Sequence, residues 1–195
     1  MYKSIFVLVT NTLVYQCGWH VNQNIAQMNI EPNQAEYWID RLGLTAHPEG
    51  GFYKETYRSS ENIQVCGLPF RFGSPRSFST AIYFLLRSVD KSRFHRIKSD
   101  ELWHFHLGSS LNIYVLQNMQ LSIFKLGSDI DNGDSLQVTI PANCWFAAKI
   151  SSPNTFTLAS CTVAPGFDFK DFEMGDRQQL LQEFPSHADV IKELS

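Results

Sequence analysis

Three of the six histidines fall in one stretch, Phe94 to Gly108, together with a glutamate. Five residues separate His95 from Glu101, and six more separate Glu101 from Gly108. Imidazole and carboxylate at this spacing can do two kinds of chemistry. They can ligate a transition metal, or they can move a proton, with the carboxylate orienting the imidazole as a base. A metal needs more donors, and His104 and His106 are the nearest. Strand alternation takes them away. In a strand over 101–107, Glu101, Trp103, Phe105 and Leu107 share one face, and His104 and His106 share the other with Leu102. Unless a bulge inverts the strand, two donors remain, and two hold a transition metal poorly. His95 and Glu101 are therefore weak metal candidates. The expected cofactor is none, with a divalent metal disfavoured. His104 and His106 read as a hydrogen-bonded pair at a sheet-packing or dimer surface.

The proton-transfer reading assigns His95 as base and Glu101 as its orienting carboxylate, with Tyr114 (or Tyr83) as acid. Arg76 or Arg58 is placed to hold a carboxylate or phosphate through a bidentate contact. A plain hydrogen-bonded His95–Glu101 pair at one end of a barrel is the structural alternative. In His47-Pro48-Glu49-Gly50-Gly51 the glycines suit a tight turn with positive φ, or let backbone approach a ligand at which Glu49 points. Trp103 and Trp145 are core or pocket wall, and an aromatic pocket with few polar groups is the usual small-molecule site. Glu49, Arg76, Trp103 and Trp145 are the ligand-binding candidates.

These residues need elements to carry them. Ala35, Trp38, Ile39 and Leu42 fall at helical spacing, which predicts a helix over 32–42 with Pro32 in its first turn and Gly43 at its stop. Residues 52–58 read as a strand, and 61–76, with Gly67, Pro69, Gly73 and Pro75, as a long loop. From Ser77 the pattern is all β, with strands expected at 78–86, 101–107, 111–116, 119–125, 136–140, 144–149 and 155–163. Many short strands at even spacing point to a sandwich or small barrel. Phe167, Phe169 and Phe172 follow the last strand and are expected to pack over one opening. A helix is predicted over 176–184, and a second from Ser186, whose spacing to Asp189 makes a capping box.

Taken in order, several blocks resemble cupin family five, a branch of the cupin superfamily whose members are largely of unknown function. They are His47-Pro48-Glu49-Gly50-Gly51-Phe52, Arg76 with Ser77 to Leu86, His95 with Ser99 to Trp103, Pro141 with Trp145, and Ala164 to Phe169. The likeness covers roughly residues 33–193. It implies a mainly β fold, a double-stranded β-helix (jelly-roll) barrel with an N-terminal helix and short C-terminal helices. It also implies a homodimer, and structural kinship to sugar-nucleotide epimerases such as the dTDP-4-keto-6-deoxyglucose 3,5-epimerase. The superfamily's first motif, G-x5-H-x-H-x3-4-E-x6-G, is met in its Glu-x6-Gly half, while Arg93 stands where the first His belongs. In the second motif, G-x5-P-x-G-x2-H-x3-N, Pro141 fits, Asn143 replaces Gly, and Phe146 stands at the His. Metal cupins use those histidines as ligands, so this chain departs from the pattern at two ligand positions.

Composition bounds the rest. The 195 residues, 44% of them hydrophobic, suffice for one domain with a sizeable core. A net charge of -3 with no basic stripe argues against nucleic acid as partner. The four cysteines, Cys17, Cys66, Cys144 and Cys161, form no CxxC pair. Cys144 and Cys161 lie in apolar segments and read as buried free thiols. Residues 1–28 are read as a leader or signal segment, or as sequence upstream of a true start at Met28, and 29–195 as a single cupin domain. The apolar run Ile5 to Tyr15 is short for a membrane span and no clean cleavage site follows. The cytoplasm is favoured, with secretion the alternative if 1–28 hold a signal, and no membrane partner is expected.

The leading functional reading is small-molecule binding in the barrel, with metal-independent isomerase or epimerase chemistry on a carbohydrate-like ligand or nucleotide sugar. The alternatives are a non-catalytic binding or structural dimer, and a metal-dependent oxygenase with degenerate ligands.

Overall fold

The computed structural model describes residues 34–195. The leader assigned to 1–28, Cys17 and the first two residues of the expected helix lie outside this range. Helix α1 (Gln34–Leu42) comes first. Strands β1 (Thr45–Ala46), β2 (Phe52–Arg58), β3 (Asn62–Ile63), β4 (Arg76–Ser77), β5 (Thr80–Arg87), β6 (Ser92–Arg96) and β7 (Asp100–Gly108) follow. Then come β8 (Leu111–Gln117), β9 (Gln120–Leu126), β10 (Gln137–Ile140), β11 (Trp145–Ile150), β12 (Phe156–Ala164) and β13 (Glu173–Met174). Helices α2 (Arg177–Glu183) and α3 (Ala188–Glu193) close the chain.

Two antiparallel sheets face each other as a jelly roll. One has the order β1-β2-β5-β12-β7-β10 and the other β13-β6-β11-β8-β9. The strand order of neither sheet runs on into the other, and at one edge the 135–136 segment bonds to β9 through Ser135 and to β7 through Leu136. The core between them takes alternate residues from both, among them Phe84, Trp103, Ile113, Phe146 and Cys161. The alternation is the period-2 pattern of a strand with one buried face. The outer faces are not left bare. Leu85, Phe156 and Leu158 pack under α1 through Ala35, Trp38 and Ile39. Phe94, Tyr114, Leu116, Trp145 and Ala147 are covered by Leu180, Phe184, Ile191 and Leu194 of the C-terminal helices.

Four sequence expectations need correction. Strand β6 was not foreseen, because Ser-Arg-Phe-His-Arg alternates charge with bulk and has no partner nearby in the chain. It forms by pairing with β11 and β13, some fifty to eighty residues on. The Ser186 capping box does not form. His187 stands at the N-cap of α3 without a side-chain bond. The true side-chain cap is Asp176, whose carboxylate accepts from the Gln179 N–H at 2.9 Å at the start of α2. Leu107 does not share the inner face with Glu101, Trp103 and Phe105. The β7–β12 register slips by one residue at His106, and Leu107 then packs outward with Leu158. His104 and His106 do not bond to each other: His104 Nε2 meets Thr162 Oγ1 at 3.4 Å, and His106 sits edge-on to Tyr83.

Candidate active site

A cavity of about 340 Å³ lies at one end of the jelly roll. Four elements supply its closed end: the 47–51 turn, β6, β7 and β12. Each is placed by a specific backbone device. Gly50 has φ 118°, and a Cβ there would stand 2.0 Å from the Lys91 carbonyl oxygen. Only glycine lets this turn lie against the start of β6. The contact is fixed by the Arg93 N–H donating to the Glu49 carbonyl at 2.9 Å. Strand β6 carries a bulge against β11, because Phe146 pairs with His95 but Ala148 pairs with Ser92. Strict alternation would put Ser92 and His95 on opposite faces. The bulge brings both inward and sends Phe94 out to the helix side.

Glu49 is therefore the hub, buried to 5% exposure. Its Oε2 lies 2.9 Å from His95 Nε2 and 3.3 Å from His47 Nδ1, and its Oε1 accepts from Ser92 Oγ at 2.7 Å. His95 Nδ1 meets the Arg93 carbonyl oxygen at 2.7 Å. Both ring nitrogens of His95 thus face acceptors, a geometry that suits the doubly protonated imidazolium. Burial alone would lower the proton affinity of His95. The charge and hydrogen bond of Glu49, the Arg93 carbonyl and the charge of Glu101 together outweigh it and hold the value raised. For Glu49 burial pushes the other way, but His95 and His47 win and keep its carboxyl far below the usual carboxylate range.

Glu101 is in a different situation. It sits mid-sheet, opposite Val163 on β12 and Ile140 on β10. Among the described residues it has no ion-pair partner. Burial first, and then the Glu49 charge, raise its carboxyl to about 7; His95, the Cys161 thiol and His47 pull it only partly back. Cys161 is the diagonal cross-strand neighbour on the same face. Burial and the nearby carboxylates raise that thiol well above its ordinary range, so it stays protonated beside Glu101.

The walls are aromatic. Tyr53, Phe84, Trp103, Phe167, Phe169 and Phe172 all line the cavity. Phe172 lies 5.4 Å from the His95 ring and Phe169 stacks on His47 at 6.2 Å, both measured between centroids. The three phenylalanines after β12 thus stand at the opening, where the sequence places them. Tyr53 and Glu55 reach the cavity by alternation along β2, and Arg58 joins them because a bulge between Glu55 and Tyr57 shifts the register.

The structure brings together His95, Glu101, Glu49 and Trp103 of the sequence candidates. The orienting carboxylate of His95 is Glu49, and not Glu101. Four candidates, Tyr83, Tyr114, Trp145 and Arg76, do not line the cavity, and Tyr83 packs in the cluster under α1. Tyr114 and Trp145 point to the helix side of their sheet, where Lys149 lies over the Tyr114 ring and Arg96 over Trp145. Arg76 is 3% exposed and clamps Asp171 through Nε at 2.5 Å and Nη2 at 2.6 Å, while Nη1 is spent on Ser74 and Pro75. It anchors the turn bearing Phe169 and Phe172 and is not part of the cavity lining. His47, Tyr53 and Cys161 were not assigned a site role from the sequence. For His47 the available signal was its place in the glycine turn, and for Tyr53 its alternation with Glu55. Nothing local marked Cys161.

The donor set does not fit a metal centre. Among the described residues no group of three or more His, Cys, Asp or Glu is placed to hold an ion. Both His95 nitrogens are engaged, and the Phe146 ring stands against His95 at a centroid distance of 4.0 Å, at the position where the second motif carries its histidine. No helix among the described residues is long and apolar enough to cross a membrane.

The family model for Cupin_5, described as Cupin superfamily (DUF985), matches residues 36–175. The chain belongs to cupin family five. Within and around this family, it is 31% identical over 150 residues to the uncharacterized protein YML079W of Saccharomyces cerevisiae, a match covering 72% of this chain and 74% of that one. It resembles the solved structure of a hypothetical protein from Leishmania major at 34% identity and a TM-score of 0.75, covering 83% of this chain and 98% of the other. It resembles protein SO0799 from Shewanella oneidensis at 38% identity and a TM-score of 0.74, covering 83% and 96%. The glycine turn, β6 and the Phe167 to Phe172 segment all fall inside the family match.

Proposed function

We propose that the cavity of this cupin is a small-molecule site in which Glu101 exchanges a proton with a carbon next to a carbonyl, the elementary step of an isomerase or epimerase. What supports this is the contrast between two buried glutamates. Glu49 is tied into His95, Ser92 and His47 and stays ionised; Glu101 has no cation and binds its proton up to about pH 7. Two carboxyls whose surroundings push their proton affinities apart are the usual division of labour in acid–base sites. A group half-protonated near neutrality can both take a proton and return it. His95 is not the base in this reading, since neither nitrogen has a free lone pair. Its charge keeps Glu49 ionised, and that charge in turn lifts Glu101. Among the described residues Tyr53 is the one phenol in the lining and is available as a second proton donor.

The test is deuterium incorporation from D2O into a panel of small hydroxyketones and aminoketones, followed by proton NMR. Exchange should fall by about 10²–10⁴-fold in Glu101→Gln, and exchange that survives this change undiminished refutes the assignment. The locked His95–Glu49 pair also favours a second reading, ligand binding without turnover. Saturable binding with no exchange from any member of the panel would select it.

A further inference from the structure

The charges around the cavity do not balance, and the imbalance names a ligand class. Among the described residues four acidic side chains line it, Glu49, Glu55, Asp168 and the half-protonated Glu101, against the Arg58 guanidinium and the His95 imidazolium. Each cation already has its own carboxylate. His95 is held by Glu49 at 2.9 Å, an anion that His47 shares. Arg58 donates to both oxygens of Glu55, at 2.9 and 2.6 Å, and to the Phe167 carbonyl at 2.9 Å. Glu101 and Asp168 are left over. Asp168 accepts only the Lys170 N–H, at 2.9 Å, and among the described residues neither side chain forms an ion pair. Glu101 is 8% exposed and faces the cavity, so its missing partner is not supplied by bulk water. The rings of Tyr53, Phe84, Trp103, Phe167, Phe169 and Phe172 line the same cavity.

From this we infer that the cavity takes a small organic cation, a compound bearing a substituted ammonium group, and rejects carboxylates and phosphates. Ring faces attract a desolvated cation through their quadrupoles, and the acidic side chains without an ion-pair partner in the same lining add to the attraction. An anion would meet Glu101 and Asp168, and among the described residues the one guanidinium in the lining already holds Glu55. The nucleotide sugar suggested by kinship to the epimerases therefore has no partner here for its phosphates, since Arg58 and Arg76 are both engaged. The inference rests on the same cavity as the proton-transfer reading and narrows its substrate to an ammonium-bearing carbonyl compound.

Three probes of one shape separate the possibilities in titration calorimetry of the full chain: choline, its uncharged isostere 3,3-dimethylbutan-1-ol, and the anion 3,3-dimethylbutanoate. Choline should bind at least tenfold tighter than the alcohol, and the anion should not saturate at concentrations that saturate with choline. Glu101→Gln should narrow the choline preference to within about threefold, and Asp168→Asn should reduce it by a smaller factor. Equal affinity for choline and the alcohol, tighter binding of the anion, or no saturable binding of choline would each overturn the inference. The ranking in the wild type requires no variant to fold. Choline and the alcohol carry no carbonyl, so the ranking is independent of turnover. A failed deuterium-exchange experiment leaves it standing, and a failed ranking leaves the exchange experiment intact.

Discussion

Replacing Glu101 by Gln should make the protein more stable, by an amount that grows with pH. The carboxyl binds its proton with an affinity near pH 7 when folded, against 4.5 as its ordinary value. A carboxyl raised in this way favours the folded state while it is protonated. That contribution is complete below the ordinary value and is lost as pH climbs through the folded one, because the folded chain there holds a proton that the unfolded chain has released. A displacement of this size corresponds to roughly 3 kcal/mol once both states are ionised, at about pH 8. Gln keeps the shape and a hydrogen-bonding group beside Cys161 but has no proton to lose. The stability difference between Glu101→Gln and wild type should therefore rise by about 2–3 kcal/mol in favour of the variant between pH 5 and pH 8. Urea unfolding at a series of pH values, with unchanged m-values as the check on two-state behaviour, reads it directly. A difference that stays flat within about 0.5 kcal/mol over that range would mean that Glu101 is ionised throughout, and the acid–base role would fall with it.

Glu49→Gln removes the anion that holds the His95 imidazolium. Histidine nitrogen NMR at neutral pH should show two protonated ring nitrogens in the wild type and one in the variant, with a stability loss of about 3–5 kcal/mol for breaking a buried pair; two protonated nitrogens in both would refute the hub role of Glu49. Arg76→Met strands the buried Asp171 carboxylate, softened only by Lys98 at 3.4 Å. It should cost about 3–5 kcal/mol and speed amide exchange over residues 167–172, while Arg76→Met combined with Asp171→Leu should recover part of the loss; additive losses would show that the clamp is not a coupled pair. Tyr114→Phe should leave choline affinity and deuterium exchange within about twofold of wild type, since the ring lies on the far side of its sheet with no shared partner, whereas Tyr53→Phe should lower exchange. An effect of Tyr114→Phe larger than that of Tyr53→Phe would put the cavity on the wrong face.

The sequence by itself determined a mainly β sandwich or small barrel with its covering helices, and its resemblance to cupin family five narrowed this to the jelly roll. It could do so because a half-buried strand writes its faces into alternate residues, and because α1 and β7 are long enough for the pattern to be read locally. The alternation along β7 correctly set Glu101 and Trp103 inward and took His104 out of the site. It failed at Leu107, where one extra residue at His106 reverses every face that follows. What only the tertiary structure decided is who partners whom. Strand β6 exists through pairing with β11 and β13, and its bulge turns Ser92 and His95 together toward Glu49, a residue more than forty positions earlier in the chain. Arg76, an apparent ligand clamp by residue type, is spent on Asp171, which lies 95 residues away. Tyr114 and Trp145 sit on strands whose two faces are both apolar, so alternation could not say which one met the cavity and which the C-terminal helices. Residue type and spacing fix what each side chain can do, but a bulge changes a face by one residue and leaves no mark on local periodicity. The partners of a buried charge are therefore settled only when the sheets close.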